Sequence, residues 1–172
     1  AGLRAAWLMA RLHAFDLSRF GITADCLPVL DVPVEGANDV IGTRAYGKDP
    51  ETVTALGRAA AEGLLSGGVL PVMKHCPGHG RAFADTHLAL PVVETPIEEL
   101  RRHDFAPFKA LSYLPMAMTA HVVYAAIDPS APATTSQKVV RDIIRGEIGF
   151  DGLLLSDDTS MKALSGDFRT KA

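Results

Sequence analysis

The sequence predicts an α/β fold built on a parallel sheet. Three observations carry that reading. Strand, loop and helix follow one another in that order four times along the chain; the strands are continuous apolar runs; and polar residues of chemical interest stand just after them. Parallel strands joined by crossover helices produce the first pattern. A sheet covered on both faces produces the second. The third matters because ligands gather at the carboxyl ends of parallel strands.

The first helix is marked by Leu8, Leu12 and Phe15 at i, i+4 and i+7, a stripe expected to face the core, with Gly21 as its stop. Residues 22–34, ITADCLPVLDVPV, are apolar and β-branched and predict a buried strand running into a loop at Asp31–Pro33. A long polar loop covers 36–50. Asp49 then caps a helix with Pro50 in its first turn; Val53, Leu56, Ala60 and Leu64 form its apolar stripe, and Gly67 and Gly68 end it. Val69–Met73 is a short buried strand, and residues 74–90 form a second long loop. Thr95-Pro96-Ile97-Glu98 has the pattern of a capping box, opening a helix that reaches about Ser112. Pro115–Ala120 is the next strand. Ser136–Glu147 is a helix with Val139, Val140, Ile143 and Ile144 on one side, and Gly152–Leu155 is the fourth strand.

The chain has 172 residues with 17 Lys and Arg against 20 Asp and Glu, a net charge of −3. That balance gives no pull towards nucleic acid or an anionic membrane surface. No apolar run approaches the roughly 20 residues of a membrane span. Two cysteines, Cys26 and Cys76, are too few for a disulfide framework and lie in apolar stretches that read as buried thiols.

Asp31, Lys74, His75, His121 and Asp157 stand just after strands, with Arg44, Asp85 and His87 on the loops between, and together they define one candidate cleft. The densest segment is KHCPGHGRAFADTH, residues 74–87. His75, Cys76, His79 and His87 are metal-ligand types, but their spacing matches no zinc pattern, and neighbours in an extended chain point apart. Gly78-His79-Gly80 lacks the Gly-Lys-Ser/Thr that would make it a phosphate loop. Acid–base chemistry fits better. Asp85 and His87 are two apart and face the same way in an extended stretch, so the carboxylate can fix the imidazole tautomer and leave the other nitrogen for proton transfer. In Ser156-Asp157-Asp158, Asp158 or Thr159 can cap a helix starting near Met161, which leaves Asp157 free to enter the cleft as a cation ligand or a nucleophile. Arg44 and Lys74 supply fixed donors for hydroxyls, amides or carboxylates.

These residues also carry a family resemblance. KHCPGHGRAFADTH resembles the Lys-His-Phe-Pro-Gly-His-Gly…Asp-Ser/Thr-His loop of bacterial β-N-acetylglucosaminidases (β-hexosaminidases) of glycoside hydrolase family 3. LPVLDVPV…VIGTRAYG, MAMTAHVVYAAIDPSAPAT and GFDGLLLSDDTSMKAL agree in order and spacing, so the resemblance covers nearly the whole chain. The departures are Cys76, where Phe is usual, and Thr43, where Asp is common. The resemblance implies a (β/α)8 TIM-type barrel. About four of its eight strand–helix units are present, so residues 1–172 read as part of the catalytic barrel, an internal piece truncated at both ends. It further implies a retaining hydrolase acting through a covalent glycosyl-enzyme intermediate. Asp157 corresponds to the nucleophile, His87 to the general acid/base and Asp85 to its partner. Arg44, Lys74 and His75 correspond to residues that hold the N-acetylglucosamine unit, and His121 to a histidine lining the site. No cofactor and no metal are expected. The implied substrate is a muropeptide or chitooligosaccharide containing N-acetylglucosamine, and the implied location is the bacterial cytoplasm. The alternatives are a β-glucosidase-like hydrolase of the same family, a phosphorylase that transfers the sugar to phosphate, and an inactive sugar-binding piece.

Overall fold

The computed structural model of the chain describes residues 1–37, 40–82 and 90–160. Its strands are β1 (Ala24–Asp25), β2 (Leu70–Cys76), β3 (Val92–Val93), β4 (Met116–Thr119), β5 (Val123–Tyr124) and β6 (Leu153–Leu155). Four of them form a parallel sheet in the order β1-β2-β4-β6, and β3 and β5 form a small parallel pair. The helices are α1 (Gly2–Ser18), α2 (Pro50–Ser66), α3 (Ile97–Arg102), α4 (Ala106–Ala110) and the π-wound α5 (Val139–Glu147). Parallel pairing with helices between the strands is the architecture expected of part of a TIM-type barrel.

The main core lies between the sheet and the helices that follow it. Leu30, Met73, Cys76 and Ala117 pack with Phe105, Phe108, Tyr124, Ile144 and Phe150. A second cluster of Ala10, Ala14, Ala60, Leu64 and Val69 joins α1 to α2. Small residues allow that contact. A Cβ at Gly63 would stand 2.4 Å from the Trp7 carbonyl oxygen, and one at Gly67 2.3 Å from the Ala14 Cβ. The side of α1 that meets the core is therefore its alanine side. Leu8, Leu12 and Phe15, the stripe expected to be buried, are 49%, 54% and 52% exposed.

α2 begins as expected, with the Asp49 carboxylate accepting the Thr52 N–H at 2.8 Å. The capping box at Thr95 does not form: α3 starts after Pro96 without a side-chain cap. The helix expected to reach Ser112 is broken at 103–105. Pro107 has no N–H to bond the preceding turn and instead sits in the first turn of a new helix, α4, while Asp104 turns inward to Arg81. The strand expected over 22–34 is regular only at Ala24–Asp25. Pro28 and Pro33 cannot donate to a ladder, and beyond β1 the segment keeps a bridge from Val29 to Lys74. Cys26 is exposed, contrary to its reading as a buried thiol, because this irregular stretch turns it outward; Cys76 is buried.

β2 is longer than its apolar run. The Leu30 N–H donates to the Lys74 carbonyl at 2.7 Å and the Lys74 N–H to that of Pro28 at 3.0 Å. On the other side the Ala120 N–H donates to the Cys76 carbonyl at 2.8 Å. Pairing on both edges keeps the chain extended through Lys74, His75 and Cys76, which sequence alone assigns to a loop. The Leu27–Pro28, Lys74–His75 and Cys76–Pro77 peptides are cis.

Candidate active site

The carboxyl end of the sheet brings together side chains that follow three of its four strands, β1, β2 and β6. Asp31 lies just beyond the Val29 bridge, His75 near the end of β2 and Asp157 two residues after β6. Asp31 is fully buried and its carboxylate accepts three hydrogen bonds. Oδ2 takes Nδ1 of His75 at 2.6 Å, and Oδ1 takes the backbone N–H groups of His75 at 3.2 Å and His79 at 2.7 Å. Burial works to raise this carboxyl, but the two histidines outweigh it and hold Asp31 below the ordinary carboxylate range.

The other ring nitrogen of His75, Nε2, faces Oδ2 of Asp157 at 4.0 Å. Asp157 keeps Oδ1 for the Asp158 N–H at 2.8 Å, and its side chain is 24% exposed. One oxygen is thus fixed locally, and the other is presented towards the cleft. A carboxylate held this way can attack an electrophilic carbon or stabilise a developing positive charge.

His121 braces this end of the sheet. It is buried, with Nδ1 on the Thr134 hydroxyl at 2.7 Å and Nε2 donating to the Asp158 carbonyl at 3.0 Å. Both ring nitrogens are taken by protein, so it ties the strand that ends at Thr119 to the segment carrying Asp157. Asp158 has its Oδ1 on the Ser160 N–H at 2.8 Å; the helix expected near Met161 lies outside the described residues.

The loop after β2 is held from several sides. The Asp31 carboxylate takes the His79 N–H, the Tyr124 hydroxyl donates to the Gly78 carbonyl, and Arg81 pairs with Asp104 at 2.6 Å and Glu99 at 2.8 Å. His79 is buried with Nδ1 unpartnered, and its ring meets that of His75 edge-on at 5.6 Å. Burial holds the His79 imidazole below the usual histidine range; the Asp31 charge opposes this without cancelling it.

Among the expected site residues, His75 and Asp157 come together. Lys74 is half-buried on the same strand. Arg44 is exposed in a short 3₁₀ turn, Gly42–Arg44, and donates to the Val40 carbonyl at 2.7 Å. Asp85 and His87 lie outside the described residues. The sequence reading placed Asp31 at the cleft without a role and did not anticipate Tyr124 or Asp104. A loop-opening Asp between Leu30 and Val32 signals that it is not ordinary core; nothing local distinguishes Tyr124 or Asp104. Among the described residues no group of three or more His, Cys, Asp or Glu is placed to hold a metal ion, and no helix is long and apolar enough to cross a membrane.

Comparison with known proteins shows the family and the fold. A β-hexosaminidase of Methylococcus capsulatus is 42% identical over 176 residues, covering 100% of this chain and 52% of that protein. The structure of a family 3 β-N-acetylglucosaminidase from a Paenibacillus species superposes with a TM-score of 0.92 at 37% identity, covering 96% of this chain and 32% of that one. NagZ from Neisseria gonorrhoeae, solved with N-trifluoroacetyl-D-glucosamine, superposes with a TM-score of 0.86 at 40% identity, covering 92% of this chain and 47% of that one. The chain spans about half the length of the curated relatives it matches. The glycosyl hydrolase family 3 N-terminal domain matches residues 2–172, and the chain belongs to that family.

Proposed function

We propose that this chain carries the nucleophile and the acid/base of a retaining exo-β-N-acetylglucosaminidase. The observation that carries the reading is the Asp157 carboxylate at the carboxyl end of a parallel sheet, with one oxygen fixed by the Asp158 N–H and the other facing His75. The family membership and the names of the relatives support the same reaction class.

In the first step Asp157 attacks the anomeric carbon, a carbon–oxygen bond to the enzyme forms, and the bond to the leaving oxygen breaks as His87 protonates it. In the second step His87 takes a proton from water. The water oxygen bonds to the anomeric carbon and the Asp157 carboxylate is released. Retaining glycosidases usually place two carboxyl groups about 5–5.5 Å apart; here a histidine oriented by Asp85 serves in place of the acid carboxyl. Lys74, His75 and Arg44 supply polar contacts to the sugar. The natural substrate in this reading is a terminal N-acetylglucosamine of peptidoglycan-derived muropeptides in the bacterial cytoplasm, and residues 1–172 form part of the catalytic barrel.

Turnover of an aryl N-acetylglucosaminide tests the assignment. Asp157→Ala is expected to lower kcat by about 10⁴-fold or more; near-normal turnover would refute the nucleophile. His87→Ala is expected to slow poor leaving groups far more than activated ones, and an equal loss across both contradicts an acid role. Release of free sugar rather than sugar 1-phosphate in phosphate buffer separates hydrolysis from phosphorolysis.

A further inference from the structure

We propose that Asp31 is a positioning residue: it fixes the ring proton of His75 at Nδ1, so that Nε2, the nitrogen facing Asp157, is the hydrogen-bond acceptor for a substrate hydroxyl. An ionised carboxylate only accepts. Asp31 has Oδ1 saturated by two backbone N–H groups and Oδ2 at 2.6 Å from Nδ1 of His75, so the proton of a neutral His75 resides on Nδ1. The ring cannot flip without breaking that contact, and His79 stands edge-on against it.

The consequence is felt at the open side of His75. With the ring neutral, its Nε2 and Oδ2 of Asp157 are both acceptors, 4.0 Å apart, too long for a direct hydrogen bond. Two facing acceptors are favourable only when a donor lies against them, and a sugar hydroxyl is such a donor. Were the proton on Nε2 instead, it would point at Asp157 and draw on the carboxylate required for attack. Asp31 is fully buried, so it acts through His75. The kinetic part of this inference rests on Asp157 being the nucleophile, whereas the tautomer does not.

The test has two arms. Long-range ¹⁵N–¹H NMR of the ring nitrogens, followed upward in pH until His75 is neutral, is expected to show the proton on Nδ1 in the wild-type chain and on Nε2 in Asp31→Asn. The asparagine oxygen keeps the backbone N–H bonds while its amide presents a donor to Nδ1. A wild-type proton on Nε2 overturns the proposal, and this spectrum decides even if the variant does not fold. In the kinetic arm, Asp31→Asn is expected to lower kcat/KM on an aryl N-acetylglucosaminide by about 10²–10⁴-fold, yet to change it by no more than about threefold in a His75→Gln background. Equal loss in both backgrounds means that Asp31 only supports the backbone, and overturns the proposal. A protein without hydrolytic activity whose His75 carries Nδ1–H refutes the reading of function and leaves the Asp31 assignment standing.

Discussion

The guanidinium of Arg81 meets the carboxylate of Asp104 at 2.6 Å, with Asp104 almost wholly buried and Arg81 only 12% exposed. The pair ties the loop after β2 to the break between α3 and α4, two segments that neither share a strand nor adjoin in sequence. Burial pushes the Asp104 carboxyl above its ordinary range, and the Arg81 charge opposes that shift without cancelling it. One carboxylate oxygen of Asp104 has no partner.

Removing one member of such a pair strands the other. Asp104→Ala is expected to lower the stability of the chain by about 3–5 kcal/mol, whereas replacing both members with apolar residues of similar volume costs much less. Urea unfolding of the single and double variants measures the difference. A single variant within about 0.5 kcal/mol of wild type would show that Glu99 alone suffices for Arg81.

Gly80 lies directly on the backbone of Val32: a Cβ there would stand 2.1 Å from the Val32 carbonyl oxygen. The obstacle is main chain, which cannot rotate away. Gly80→Ala is expected to destabilise by about 1–3 kcal/mol or more and to displace the His79 N–H from Asp31. The backbone amide signal of His79 reports the second effect.

Acid stability should fall in two stages. His79 has a lowered affinity for protons in the fold, so the unfolded chain binds the proton first. Its contribution is present above the unfolded value of 6.5 and is lost as pH falls below it towards the folded value. Asp31 is also held low, so its contribution persists until pH drops below about 3.8 and is lost as pH falls through its folded value. His79→Gln is expected to flatten the first stage and to keep most of the second, to which His75 contributes more than His79. Urea midpoints taken across pH check both.

The outer face of α1 exposes Leu8, Leu12 and Phe15 together, each about half accessible. Leu12→Gln is expected to change stability by less than about 0.5 kcal/mol and to reduce self-association of the chain, because an apolar stripe of this size is a contact surface. Sedimentation at several concentrations distinguishes the variant from wild type. Loss of stability comparable to a core deletion would place Leu12 against the fold.

The sequence by itself determined the alternation of strand and helix, the parallel sheet, the α2 cap at Asp49 and the convergence of Asp31, His75 and Asp157 at one end of the strands. All of these follow from local chemistry: apolar runs, a capping carboxylate, and polar residues that must leave a covered sheet at its ends. Tertiary structure alone decided the rest. Which side of α1 is buried depends on Gly63 in α2 and on Gly67 at its C-terminal cap. How far β2 extends depends on partners at Pro28, Leu30 and Ala120. The break at Asp104 accompanies its pairing with an arginine 23 residues earlier. The role of Asp31 is likewise a matter of distance, because a carboxylate and an imidazole 44 residues apart share one proton only when the fold holds them at 2.6 Å.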